Sequence, residues 1–280
     1  MDEKHTTLAT IDERSKAKAD LEFTDETGVT HRLWIETDEE IIAKLVADFA
    51  DRKLYIADGH HRYETALNYR NYCRENGISK PGDPQDFQMI YLVDMEHPGL
   101  VVFPTHRLVR DLPNFDKEAV LEKCSEFFYI DEKEGTDTME EDLKKLYDED
   151  KKAFGFYCGK GEWFLLTLKN IDIMSQMLPN VSKASQSLDV SVLHTLILEK
   201  IFGIDKENMA KQINLTYTKF FTEAIDGVDK GEFQCSFVLN PTRVTEIRDV
   251  AAAGEKMPQK STYFYPKMIT GMVMNNLGVD

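Results

Sequence analysis

The sequence predicts an α/β fold of the α+β kind, in which a mixed sheet carries a strand–turn–helix site and a second α/β region follows. Short apolar runs bounded by turn residues, typical of strands, alternate with segments whose apolar residues recur at helical spacing. With 280 residues, 42% apolar and 30% charged, the chain is long enough to bury a substantial core. A change of pattern near residues 111–115 divides it into predicted regions 1–112 and 113–280.

Composition and charge narrow the class of protein. No apolar run approaches the roughly 18 residues that a membrane span needs, and the N-terminus lacks the apolar stretch of a signal peptide, so we expect a cytoplasmic protein without a membrane partner. The formal net charge of −16 does not favour nucleic-acid binding, which needs a cationic surface. The four cysteines are widely spaced and predict buried free thiols rather than disulfides or structural zinc.

The first region is predicted to alternate between strands and helices. Residues 1–20 are polar without a hydrophobic period and indicate a loose arm. Short apolar segments on either side of a turn are predicted to be strands. Segments whose apolar residues recur every three or four positions are predicted to be helices. In chain order these are strands 21–23 and 31–35, a helix from Thr37, a buried strand 54–57, a helix 62–76, and strands 87–93 and 100–103.

The second region is predicted to be richer in helices. Residues 153–158 and 163–168 form a hairpin around a glycine-rich turn, and residues 235–239 form a strand. The last helix is predicted to begin with Asn240 as N-cap and Pro241 in the first helical position. The predicted helices span 116–127, 139–147, 190–202, 219–228 and 240–253.

The densest signal for function is a polar turn between a predicted strand and a predicted helix. Its glycine allows a tight turn, and the free N–H groups of the first helical turn favour an anion. The arginine adds a forked cation suited to phosphate, the two imidazoles can transfer protons near neutral pH, and the aspartate can orient an imidazole or hold Mg²⁺. These residues are Asp58, Gly59, His60, His61 and Arg62.

Alternatives remain for this turn. Asp58 could serve only as a helix cap while the histidines make local hydrogen bonds. A zinc site would require spaced ligands, whereas His60 and His61 are adjacent and no HExxH motif is present. Magnesium bound together with a substrate is the better metal hypothesis, with Asp58 as its protein ligand.

Two further polar segments are candidate binding sites. Thr105, His106 and Arg107 follow a predicted strand with a hydroxyl, an imidazole and a guanidinium. Lys260, Ser261 and Thr262 lie in an irregular segment, residues 257–267, that suits a binding loop. In each case the alternative is an ordinary surface turn or loop. His194 lies on an apolar helix and is predicted to be a hydrogen-bonded core residue.

The turn and four other blocks together resemble a family of bacterial and archaeal proteins, domain of unknown function 1015. The match begins with the segment 55–66 that contains the Asp58 turn and extends over most of the chain from about residue 21. The other blocks are residues 104–108, 188–198, 239–242 and 257–267. The family has no settled activity, so the resemblance implies membership without a reaction.

The Asp58 turn is also similar to the phosphate-binding turn of the ParB/sulfiredoxin-like fold, which includes CTP-binding partition proteins and a free-serine kinase. That similarity implies that Gly59, His60, His61 and Arg62 hold nucleotide phosphates. The expected function is a phosphotransferase or phosphohydrolase that uses Mg²⁺ with ATP, ADP or CTP on a small, serine-related metabolite, and that can form a homodimer. The alternative is a nucleotide-binding switch without turnover. Family members carry additional chain upstream, so we expect this chain to lack that segment.

Overall fold

The computed structural model describes residues 6–267, 269 and 271–277. It divides the chain into two compact units, residues 1–98 with 274–280, and residues 99–273. The division falls before the predicted boundary at residue 112 because the strand His106–Val109 pairs with strands of the second unit on both of its sides. The α+β fold class is confirmed by helices and sheets in both units.

Among its described residues, the first unit contains one small sheet, three α-helices and a short 3-10 helix, Pro84–Asp86. Leu21–Thr24 (β1) and Thr30–Leu33 (β2) form an antiparallel hairpin, as predicted. Asp38 caps the second helix by accepting from the N–H groups of Glu40 and Ile41. The helices are Thr6–Arg14 (α1), Glu39–Phe49 (α2) and His60–Glu75 (α3). A loose arm was predicted for residues 1–20, but residues 6–14 of it form helix α1; residues 1–5 lie outside the described residues.

Two predicted strands of the first unit are wrong. Residues 54–57 and 87–93 have no strand pairing in the structure. Their apolar side chains stay in solvent: Leu54 is 51% exposed, Ile56 40% and Phe87 65%. The strand predicted before the Asp58 turn is therefore an unpaired segment, although the turn and the helix after it are present.

The second unit is built on a six-stranded sheet in the order β5-β7-β6-β9-β4-β8, and a separate two-stranded ribbon pairs β3 with β10. All observed pairs are antiparallel, so the predicted mixed sheet is corrected to an antiparallel one. The strands are Val101–Phe103 (β3), His106–Val109 (β4), Phe128–Glu134 (β5), Ala153–Tyr157 (β6), Glu162–Leu168 (β7), Leu215–Thr218 (β8), Cys235–Val238 (β9) and Tyr263–Tyr265 (β10).

Helices cover both faces of the six-stranded sheet. Phe154, Phe156 and Phe237 face one side, whereas Tyr157 and Trp163 face the other. A π-helix, Leu193–Glu199, continues α8 and belongs to the first of these layers. The α-helices are Lys117–Cys124 (α4), Met139–Asp148 (α5), Ile173–Met177 (α6), Lys183–Gln186 (α7), Asp189–Val192 (α8), Lys206–Lys211 (α9), Phe221–Asp229 (α10) and Val244–Ala252 (α11).

Helix α11 begins later than the sequence predicts. Arg243, not Asn240, is the N-cap, because the Glu246 carboxylate accepts from the Arg243 N–H at 2.9 Å. Asn240 instead donates through its side-chain amide to the carbonyl of Leu143. Pro241 therefore lies before the helix rather than at its first position.

Candidate functional site

The Asp58 turn leads into helix α3, whose N-cap residue makes no side-chain capping bond. Helix α3 begins at His60, and its N-cap is Gly59, with φ +86° and no side-chain capping bond. A left-handed backbone of this kind favours glycine, which has no Cβ to clash with the neighbouring carbonyl. The first N–H groups of a helix have no partner within the helix, so this end has donors and a partial positive charge available for an anion.

The charged side chains of the turn are largely exposed. Arg62 lies back over Gly59, and its Nη2 is 3.8 Å from Oδ2 of Asp58. His61 is fully exposed, with Nδ1 3.6 Å from the Glu64 carboxylate, whereas His60 is half-buried. The structure therefore brings the five predicted residues of this turn together, with two imidazoles and a guanidinium on one helical turn.

The second predicted group, Thr105, His106 and Arg107, is buried in the second unit. Burial, followed by the charge of Arg107, lowers the pKa of His106 to about 4. Burial also lowers the pKa of Arg107 to about 10, which still leaves the guanidinium charged at neutral pH. These side chains lie inside the fold rather than on the surface turn that was the alternative prediction.

Arg107 directs its donors at neutral acceptors. Nη1 donates to the Thr105 carbonyl, and Nη2 lies 3.1 Å from Nε2 of His194 and 3.1 Å from the Lys260 carbonyl oxygen. Its guanidinium also lies over the ring of Tyr217, 5.4 Å from the centroid. The prediction of His194 as a hydrogen-bonded core residue is confirmed.

The third predicted group forms a tight turn near β10. Lys260 is exposed and has φ +54°, Ser261 is buried, and Thr262 is half-buried. The Ser261 hydroxyl donates to the Pro258 carbonyl at 2.6 Å, so it is already occupied within the turn. Only Lys260 and Thr262 of this group present side chains towards solvent.

The structure connects the second and third groups through the bond from Arg107 to Lys260. Sequence reasoning did not identify Tyr217 and Thr242, which contact these groups from β8 and from the segment before α11. A buried arginine needs several acceptors, which could have prompted a search for such partners, but the sequence does not say which strands meet.

Two observations bear on metals and membranes. Across the described part of the chain, no three His, Cys, Asp or Glu side chains are grouped to hold a metal ion. A Mg²⁺ ion that arrives with nucleotide phosphates needs only one or two protein carboxylates, so Asp58 fits that mode of binding. Among the described helices, none is both long and apolar enough to cross a membrane.

The chain has an α+β fold, and the N-terminus of α3 lies at the Asp58 turn. Residues 1–191 match the sequence profile of a family described as protein of unknown function (DUF1015). Since this match covers more than half of the chain, the protein belongs to that family. No protein with a curated description matches it.

Several solved structures are similar to this chain. A conserved hypothetical protein from Pyrococcus furiosus is 18% identical, with a TM-score of 0.38 over 75% of this chain and 68% of the other. A free serine kinase in complex with AMP is 14% identical, with a TM-score of 0.41 over 82% and 81%. A mutant free serine kinase in complex with ADP is 14% identical, with a TM-score of 0.40 over 75% and 66%.

Proposed function

We propose that the chain binds the phosphate groups of a nucleotide at the Asp58 turn and transfers or hydrolyses a phosphoryl group on a small metabolite. The observation that carries the proposal is the N-terminus of α3, where Gly59 is the N-cap and Arg62 lies over it. Backbone donors, a helix dipole and a forked cation at one place form the arrangement that proteins use for phosphate.

Each residue of the turn has a defined part in such a reaction. The N–H groups of His60 and His61 and the Arg62 guanidinium would neutralise the charge on the phosphoryl oxygens. His60 or His61 would carry the proton to or from the reacting oxygen. A Mg²⁺ ion held by Asp58 would supply charge neutralisation between phosphates when the nucleotide binds.

Within the second unit, Lys260 and Thr262 are proposed as contacts to an anionic group, because Lys260 is exposed and Thr262 is half-buried. Residues 256–267 contain three lysines and no aspartate or glutamate in a chain of net charge −16. A locally basic segment in an acidic protein favours an anionic ligand. A homodimer and a cytoplasmic location stay predictions.

The test is isothermal titration calorimetry in the presence of Mg²⁺. ADP, ATP, CTP or pyrophosphate is titrated into the wild type, Arg62→Gln and Arg70→Gln. The solved structures with AMP and ADP guide only the choice of ligands. Arg70 lies on the same helix, so its replacement is matched in charge and chemistry. We expect Arg62→Gln to weaken binding at least about tenfold, as for loss of a charged hydrogen bond, and Arg70→Gln to leave it within about twofold.

Equal losses in the two variants would show that binding is general charge attraction and would contradict a site at the turn. Absence of binding by the folded wild type to all four ligands would contradict the proposed function itself. Phosphate release or transfer by a binding-competent preparation distinguishes an enzyme from the alternative, a nucleotide-binding switch without turnover.

A further inference from the structure

Arg107 is a buried cation whose neighbours in the second unit supply no negative charge. It is 0% exposed, and among the described residues no carboxylate interacts with it. Its bonded donors go to the Thr105 carbonyl, the His194 imidazole and the Lys260 carbonyl. These acceptors are neutral at neutral pH, because burial keeps the pKa of His194 well below its usual range. A buried charge without a counter-charge is costly, which favours a site for an anion beside it.

A second polar group beside Arg107 is also unpaired. The Arg107 Nε–H and the Tyr217 hydroxyl are both buried, and neither has a hydrogen-bond partner among the described residues. The two residues are directly opposite each other on β4 and β8, and the guanidinium lies over the phenol ring, 5.4 Å from its centroid. Buried polar groups nearly always have partners. Two unpaired donors on adjacent side chains therefore indicate the place of an acceptor that binds there.

The charge of this cluster selects the kind of acceptor. Burial lowers the pKa of His106 to about 4 and raises the pKa of the Tyr217 hydroxyl, so both are neutral at neutral pH while Arg107 is charged. One buried positive charge is balanced by a single negative charge, whereas a phosphate dianion would leave a second charge uncompensated. A carboxylate carries one charge, matches the planar fork of a guanidinium and accepts from a hydroxyl.

One peptide separates the guanidinium from solvent. The Lys260 carbonyl oxygen lies 3.1 Å from Arg107 Nη2, while Lys260 itself is an exposed residue. A ligand therefore reaches Arg107 by displacing the 258–261 turn, and the pairing of β4 with β8 and β9 does not have to change. A charged oxygen is also a stronger acceptor for a guanidinium than the neutral carbonyl that it replaces.

We propose that Arg107 and Tyr217 form an internal binding site for the carboxylate group of a small metabolite. The guanidinium of Arg107 binds the carboxylate oxygens, and the Tyr217 hydroxyl donates to one of them. The site lies within the second unit. It goes beyond the proposed function, because neither its evidence nor its test involves a residue of the Asp58 turn.

The test is titration of acetate, as the probe for a carboxylate group, into the full chain at constant ionic strength. The side-chain Nε–H resonance of Arg107 in ¹H–¹⁵N spectra reports on the site, and its loss in Arg107→Lys assigns it. We expect a saturable shift of this resonance in the wild type. The absence of a saturable shift would show that water satisfies the two donors, and it would overturn the proposal.

Tyr217→Phe tests the site with the smallest change to the fold. It removes a hydroxyl that has no partner among the described residues, so the unliganded variant should resist urea at least as well as the wild type. We expect its acetate affinity to fall about tenfold, as for loss of a hydrogen bond to a charged group. The matched control, Tyr129→Phe, alters an exposed tyrosine on β5 and should leave the affinity within about twofold. Wild-type affinity in Tyr217→Phe would overturn the proposed site.

Inorganic phosphate and chloride test the class of ligand. If the site accepts one planar, singly charged group, both ions bind at least about tenfold more weakly than acetate. Phosphate affinity equal to that of acetate would contradict the argument from charge. Chloride affinity equal to that of acetate would show that any monovalent anion suffices, and either result would overturn the assignment of a carboxylate.

Discussion

The guanidinium of Arg62 lies directly over Gly59: a Cβ added to Gly59 would be 2.9 Å from Arg62 Nη2 and 3.1 Å from Nε. Glycine at this position therefore serves two purposes. It permits φ +86° at the N-cap, and it leaves room for the arginine beside the first turn of the helix. The placement of the cation and the backbone conformation depend on the same missing methyl group.

Gly59→Ala should consequently lower both the free energy of unfolding and the affinity for ADP, each for its own reason. We expect a backbone cost of about 1 kcal/mol, as for other residues in the left-handed region, and a severalfold loss of ADP affinity because Arg62 has to move. Gly77→Ala is the matched control at the other end of α3, since Gly77 has φ +69° and nothing within 4 Å of an added Cβ. Calorimetry and urea unfolding of both variants measure the two effects, and equal affinities would contradict the role of Gly59.

A buried ion-pair network provides a second prediction. Lys152 Nζ lies 2.9 Å from Asp189 and 3.2 Å from Glu246, with all three side chains mostly buried. Lys152→Met would leave Asp189 without its cation, and burial already raises the pKa of that carboxyl. We expect a loss of about 3 kcal/mol in the free energy of unfolding, measured by urea denaturation.

The control for that prediction is Lys144→Met. Lys144 makes an exposed pair with Asp148 at 2.6 Å on one face of α5, and such pairs contribute about 0.5 kcal/mol or less. If Lys152→Met and Lys144→Met lost similar amounts of unfolding free energy, burial would not explain the contribution of Lys152, and the prediction would be contradicted.

The buried histidine His106 predicts a particular pH dependence. Its pKa is lowered from 6.5 to about 4, so between these values the unfolded chain binds a proton that the folded chain does not. Stability therefore falls as the pH drops from about 6.5 to about 4, with a slope of up to about 1.4 kcal/mol per pH unit for this residue. His194 acts in the same direction, because burial lowers its pKa as well.

Urea unfolding across this pH window checks the prediction, with His106→Gln as the variant that cannot titrate. We expect the variant to have a shallower slope than the wild type. Carboxylates with a lowered pKa, such as Glu255, lose their stabilising contribution only below about pH 5, so the range from about pH 6.5 to about pH 5 reports mainly the buried histidines. If the free energy of unfolding of the wild type and of His106→Gln depended on pH with the same slope, the assignment to His106 would be contradicted.

The sequence predicted local features of this protein better than pairing between distant segments. The hairpin of β6 and β7 was found because its glycine-rich turn and the two strands that it joins are neighbours in the chain. Helix α3 was predicted after the polar turn, from about residue 62 to residue 76, and it begins two residues earlier, at His60, with Gly59 rather than Asp58 as its N-cap. Residues 54–57 and 87–93 have strand-like composition, but composition does not show whether a partner strand is present.

The candidate site shows the same limit. The residues of the Asp58 turn are neighbours in the chain, so the sequence could place them together. The burial of Arg107 depends on β8, β9 and the 258–261 turn, which are more than a hundred residues away along the chain. The N-cap of α11 was missed for a related reason, because the Glu246 carboxylate fixes Arg243 instead.

The uneven distribution of the core determines which assay can detect a ligand at the Asp58 turn. Of the buried apolar side chains among the described residues, Cys73 is the sole one in the first unit. A bound ligand stabilises only the cooperative unit that contains its site. The main calorimetric melting transition should follow the second unit, so a nucleotide at the Asp58 turn would leave that temperature nearly unchanged while slowing amide exchange along α3.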